Sequence, residues 1–242
     1  MNNLQKTMNW LIYYLYRYIN NFFGLFWIEL KRKHKHQHKR LQDMHIDTVI
    51  DIWANIWQFL SEYHSVLPQA HFHSFEPLPS AFDILKTNHW GKKNINVYNF
   101  WLGQTESIIE MNECNYDPSS SMLEMTDIHK KAYPHTQGVK KTQVKVKTLD
   151  SFHITGKNML VKIDTQWYED QIIAGWMKTI KTAKLCILET SFYPLYVWQP
   201  LFKDIYDTML DLWFIYYWGL EQWIDPKDGK CLFQDSVFIK KD

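Results

Sequence analysis

Glycine is scarce in this chain, with eight residues in 242, roughly 3% where ordinary globular proteins carry roughly 7%. Cysteine is rarer still. Cys114, Cys186 and Cys231 are odd in number, far apart and without metal-like spacing, which excludes a disulfide framework and points to a reduced, cytoplasmic chain. Neither sign of charge is in excess, the net value being +1, and this argues against a dedicated nucleic-acid surface. Long apolar runs are missing too. Segment 8–28, "MNWLIYYLYRYINNFFGLFWI", is interrupted by Asn9, Arg17, Asn20 and Asn21, so it does not read as a membrane span. No small-residue cleavage site follows a short apolar region to mark a secretory signal. What the chain has in excess is tryptophan, twelve residues, or roughly 5%; together with glycine this makes an unremarkable glycine content. Tryptophan therefore stands where glycine is expected.

Composition divides the chain into an N-terminal helical and basic extension, 1–42, and a domain of ordinary size, 43–242. Within the extension, "KRKHKHQHKR" (31–40) carries six Lys or Arg and three His. One reading is a helix packed near the domain followed by a solvated basic stretch. The other is an interfacial helix over 8–40 with a basic flank for anionic lipid, giving peripheral membrane contact. His34, His36 and His38, alternating in a lysine run, read as solvated and not as metal ligands.

From residue 45 strands and helices alternate. The apolar run 46–52 reads as a strand, and Ile56, Phe59, Leu60 and Tyr63 have helical spacing. "HFHSFEP" (71–77) is a second strand, "SAFDILKTN" a second helix with Ser80 as its N-cap, and "INVYNF" (95–100) a third strand. An irregular polar middle, 103–141, is followed by an alternating strand at 142–149 and a buried one at 158–164. Then come a helix over 168–181, a strand at 184–190, a helix over 199–212, and a closing pair, "FIYYW" and "CLFQDSVFIK", suited to antiparallel pairing. Such repetition predicts a doubly wound, mostly parallel α/β sheet covered by helices on both faces. Ligands of such sheets sit at the carboxyl ends of the strands. There the sequence offers Asp51, Glu76, Asp164 and Glu189. Each alone reads as a cap for the next helix; four at one sheet edge suggest a site, with Glu76 suited to accept both hydroxyls of a ribose.

Six motifs in order then carry a resemblance: "DIWANIWQF" (51–59), "FEPLP" (75–79), "SSS" (119–121), "TLD" (148–150), "VKIDTQWYE" (161–169) and "ETSF" (189–192). Over roughly residues 45–240 the chain resembles the FkbM-type S-adenosylmethionine-dependent methyltransferases, whose pattern runs DxGANxGxF, FEPxP, SSS, TLD, LKIDxQGxE and E-x-S-F. The departures share one form. Tryptophan stands at family glycine positions 53, 57 and 167, and also at 101, 198 and 213; Trp90, Trp176, Trp218 and Trp223 lie near turns or helix ends, and Trp10 and Trp27 lie outside the match. Drift would scatter glycine to several small residues. A gene in which UGA specifies glycine, read where UGA means tryptophan, would give tryptophan alone.

The resemblance implies a class I, Rossmann-like methyltransferase sheet of seven strands, its last strand antiparallel, with S-adenosylmethionine as cofactor. It implies that the turn holding Asp51, Trp53, Asn55 and Trp57 runs beside the methionine part of the cofactor. Glu76 would hold the ribose, and residues Asn99 to Leu102, Trp101 among them, would border the adenine. Asp164 is the first candidate base, with Lys162 and Glu169 behind it, since those two are equally suited to a structural ion pair or a helix cap. Ser119, Ser120 and Ser121 would shape the pocket for a small-molecule or glycan acceptor. The implied reaction is O-methylation of a hydroxyl on a sugar or secondary metabolite. Two alternatives stay open: a cofactor-free methyltransferase-like binding module, and a membrane-peripheral protein acting through residues 8–40.

Overall fold

The computed structural model describes residues 38–56, 58–114, 139–165, 169–196, 198–225 and 227–241. Segments 8–28 and 31–37, Ser119 to Ser121, Trp57 and Trp167 lie outside them. The chain forms two compact units, Met1–Met44 and His45–Asp242; residues 38–43 of the first are helical. No helix among the described residues is long and apolar enough to cross a membrane.

The second unit opens with β1 (Thr48–Ile52), all five residues buried, followed by α1 (Gln58–Val66), β2 (His71–Phe75), α2 (Pro79–Asn88) and β3 (Ile95–Tyr98). Later come β7 (Met159–Ile163), α3 (Glu169–Ala174), α4 (Thr179–Thr182), β8 (Ala183–Ser191), α5 (Phe202–Asp211), β9 (Phe214–Ile224) and β10 (Cys231–Lys240). Seven of these strands form one sheet in the order β3-β2-β1-β7-β8-β10-β9. β1 pairs parallel with both β2 and β7, and β10 runs antiparallel to both β8 and β9. This is the doubly wound, mostly parallel sheet expected from the β-α alternation. Its chain order reverses between β1 and β7, so the crevice at their carboxyl ends is the switch point where such sheets bind ligands. β1 and β7 are buried on both faces, as strands in the middle of a covered parallel sheet are, with Asp51 and Lys162 the charged residues among them. Ile50, Ile52, Val161, Ile163, Cys186 and Leu188 join Ile172, Ile173, Ile205 and Phe238 in the main core.

Three expectations need correction. The polar middle 103–141 is not all irregular: β5 (Ser107–Cys114) pairs antiparallel with β6 (Val139–Lys147), and β6 pairs parallel with β4 (Trp101–Leu102), making a separate three-stranded sheet. Its period-two signal is short. Met111, Val144 and Val146 are buried, whereas Ile108 is exposed and Glu110 pairs with Lys141 at 2.7 Å on the wet side. The helix expected over 168–181 is two short helices. Between them, an ideal Cβ on Gly175 would lie 2.1 Å from the carbonyl oxygen of Gly103, so this stretch depends on glycine for a close backbone approach. Ser80 is not the N-cap of α2 either. The helix starts at Pro79 with Leu78 as cap, because proline fits the first helical position, where no N–H is needed.

Candidate functional site at the carboxyl edge of the sheet

Beyond β1 the chain turns sharply. The N–H groups of Trp53 and Ala54 both donate to Phe75 O at 2.9 Å, and Trp53 and Asn55 hold φ of +70° and +53°. Glu76 fixes this turn from the end of β2. Its Oε2 accepts the Asn55 N–H at 2.9 Å and its Oε1 accepts the Leu78 N–H at 2.8 Å. The carboxylate is fully buried, and two backbone donors offset the cost of its desolvation. Asn99, after β3, donates through Nδ2 to Glu76 O at 2.8 Å and Pro77 O at 3.0 Å, tying the loops after β2 and β3 together. Trp101 opens β4 and is buried, with the Trp53 ring set edge-on against it at 4.9 Å and 81°. The Trp53 indole belongs to an apolar cluster with Leu78, Ala81, Met111, Val144 and Val146.

The other half of the edge is acidic around one lysine. Asp51 and Lys162 are register partners across β1 and β7, and Glu189 and Asp235 across β8 and β10. Residues 162 and 164 face the same side of the chain because strand side chains alternate. There Lys162 Nζ donates to Asp164 Oδ2 at 2.8 Å and lies 5.2 Å from the centre of the Phe59 ring. Burial opposes the charge on Lys162, but Asp164, Asp51 and Asp235 outweigh it and raise the lysine pKa. Asp51 has no exposure, and neither carboxylate oxygen meets a hydrogen-bond donor among the described residues. Desolvation pushes its pKa up to about 7, Lys162 pulling the other way and Asp164 adding to the rise. Burial, with Asp164 and Asp235 as neighbours, also drives Glu189 upward, and burial does the same to Asp235. Asp164 differs in access: its side chain is 31% exposed where that of Lys162 is 10%. It is therefore the member of the ion pair that can meet a substrate.

Glu169 is turned into the fold instead. Its Oε1 accepts both the N–H and the hydroxyl of Thr165, at 3.0 and 3.1 Å, at the start of α3, and burial raises its pKa to about 7. Lys162 pairs with Asp164, so the Lys162–Glu169 pairing considered from sequence is not the contact seen. Asp235 had not been singled out. Its signal is a lone carboxylate inside the apolar strand sequence "CLFQDSVFIK", and its place beside Glu189 depends on strand pairing that no local pattern encodes. Among the described residues no three His, Cys, Asp or Glu side chains converge as metal ligands. A cleft between α2 and β3, lined by His89, Trp90, Lys92 and Tyr98, holds none of the edge carboxylates.

A family model described as the methyltransferase FkbM domain matches residues 42–216. No curated protein matches the sequence. Among solved structures, a proposed methyltransferase from Thermobifida fusca YX is similar at 11% identity and a TM-score of 0.48, covering 89% of this chain and 81% of that one. Magnesium protoporphyrin IX methyltransferase from Synechocystis, solved with bound SAM, is similar at 8% identity and 0.43, covering 88% and 82%. The methyltransferase domain of bacterial CtHen1 is similar at 11% and 0.45, covering 88% and 98%. At such scores the assignments of residues rest on the family and on the geometry of this chain.

Proposed function

The chain belongs to the FkbM methyltransferase family, and from that membership and the carboxyl-edge geometry we propose that it methylates a hydroxyl oxygen of a sugar or related small metabolite, using S-adenosylmethionine. The observation that carries the reading is the buried Asp51 carboxylate at the switch point of the sheet, which meets no hydrogen-bond donor among the described residues. A buried carboxylate in that state calls for a cationic or donor-bearing partner, and the ammonium of the cofactor's methionine part is one. Glu76 and Asn99 fit the same assignment as acceptor and border for the nucleoside. The side chain of Trp53 does not fit, because its indole fills the apolar space beside the turn that would receive the ligand.

When bound, the cofactor supplies an electrophilic methyl group on a sulfonium. The residues of the chain have then to orient an acceptor hydroxyl and take its proton. The exposure of Asp164 at the end of β7 supports that role for it. Its carboxylate would take the proton of the acceptor hydroxyl, whose oxygen the methyl group of a bound cofactor would receive. Lys162 holds the carboxylate in place, and Glu169 anchors Thr165 just after it. The net charge of +1 favours a neutral or glycan acceptor over nucleic acid.

Calorimetric titration of the Trp53→Gly protein with S-adenosylmethionine, followed by methyl-transfer assays on a panel of sugar hydroxyls, tests the reading. Saturable binding together with transfer to oxygen is expected. Absence of binding in that variant would favour a cofactor-free binding module, the reading that the buried Trp53 indole itself supports.

A further inference from the structure

We infer that the functional protein carries glycine at positions 53, 198 and 213, its gene being one in which the codon read here as tryptophan specifies glycine. Six non-glycine residues of the described chain have positive φ: His45, Asn55, His153, Trp53, Trp198 and Trp213. Asparagine and histidine are among the residue types that tolerate this region, whereas for a bulky side chain it is a true outlier. Only tryptophan breaks the rule, and it does so three times, each time at a position where the sequence already departs from a family glycine.

The surroundings remove the usual compensation. Trp198, at φ +63°, is 92% exposed, and Trp213, at φ +68°, is 67% exposed. Neither indole gains enough burial to offset its backbone. Position 213 is moreover the residue after the C-cap of α5, and its N–H donates to Leu210 O at 3.0 Å. That is one of the two bonds of the Schellman motif, whose left-handed residue is usually glycine. The two positive-φ positions that do hold glycine, Gly91 and Gly229, have open space where a Cβ would go. Conformation, not crowding, selects glycine there, as it would at 198 and 213. At position 53 conformation and crowding act together, because the indole lies in the space that the cofactor reading needs. That part of the inference rests on the proposed function; positions 198 and 213 do not.

The test has three arms. Trp198→Gly and Trp213→Gly should each raise Tm by about 2–4 °C, the shift expected of one relieved left-handed residue in a domain this size. Trp198→Ala and Trp213→Ala keep the Cβ and should gain less. Trp90→Gly, equally exposed but outside the positive-φ set, should gain nothing. Peptide masses of the protein purified from its own source should show glycine at 53, 198 and 213. Tryptophan in those native peptides, or glycine variants no more stable than the alanine ones, overturns the inference. Glycine in the native peptides with no S-adenosylmethionine binding by the triple Gly variant leaves the inference standing and defeats the cofactor assignment instead.

Discussion

The two halves of the carboxyl edge treat buried carboxylates in opposite ways. After β2, Glu76 is fully buried yet meets two backbone N–H groups, from Asn55 and Leu78; it is a finished structural joint. Across β1, β7, β8 and β10, Asp51, Glu189 and Asp235 lie around the single ammonium of Lys162, and burial raises the pKa of all three. Satisfied polar groups make a rigid cradle, while Asp51, whose oxygens meet no donor among the described residues, has its pKa pushed up to about 7. The proposed reading draws on both, with Glu76 for the nucleoside, Asp51 for the ammonium of the cofactor, and the more exposed Asp164 beside Lys162 as the base.

The comparison breaks most visibly at Asp164. In the Trp53→Gly background, Asp164→Asn keeps the shape but cannot take a proton, so turnover should fall by roughly 10²–10⁴ with cofactor affinity little changed. Steady-state kinetics beside calorimetry would show it. A parallel fall in both would move Asp164 from the proton-accepting half to the binding half.

Glu76→Ala tests the other half, with a smaller effect. Loss of a charged acceptor should weaken S-adenosylmethionine binding by about 1.5–3 kcal/mol. Stability should drop as well, because the N–H groups of Asn55 and Leu78 lose their partner. Unchanged affinity with reduced stability would make Glu76 a joint and nothing more.

Much of this arrangement was legible in the sequence, for definite reasons. The strands that flank the switch point announce themselves because strands buried on both faces read as largely apolar runs, as "TVIDI" and "MLVKI" do apart from Thr48, Asp51 and Lys162. Asp51 and Asp164 could be located at strand ends from those runs, and Glu76 from the shorter run "HFHSF". The three-stranded sheet was hidden because its buried face is only a few residues long, and the break at Gly175 because its cause is the backbone of Gly103, far off in sequence. The Lys162–Asp164 pair and the Glu189–Asp235 neighbours stayed hidden for a related reason: local spacing offers Lys162 several partners, and cross-strand register chooses among them. Positive φ at Trp198 and Trp213 reads in sequence only as an oddity of composition, and becomes a physical statement once the backbone is in view.

The smallest effect expected, and the one whose sign says most, belongs to Asp51. Its pKa is raised from 3.8 to about 7 by burial, so the folded state binds its proton more tightly than the unfolded chain does. The resulting stability is fully present below about pH 4 and is lost as pH rises through about 7. At pH 8 the folded protein therefore bears the cost of a buried charge, and Lys162 offsets it only in part. Each pKa unit corresponds to about 1.4 kcal/mol, but an asparagine in the same place would still bury a polar group, at about 1–3 kcal/mol. Asp51→Asn should then stabilise the ligand-free protein at pH 8 by on the order of 1–2 kcal/mol, a few degrees in Tm, and flatten the decline in stability between pH 4 and 7. The same variant should bind S-adenosylmethionine less well, since the cationic partner proposed for Asp51 loses the negative charge that faces it. Thermal melts from pH 4 to 8, with and without cofactor, measure both. A less stable Asp51→Asn protein at pH 8 would mean that the Lys162 ammonium outweighs desolvation, placing Asp51 with Glu76 among the satisfied carboxylates.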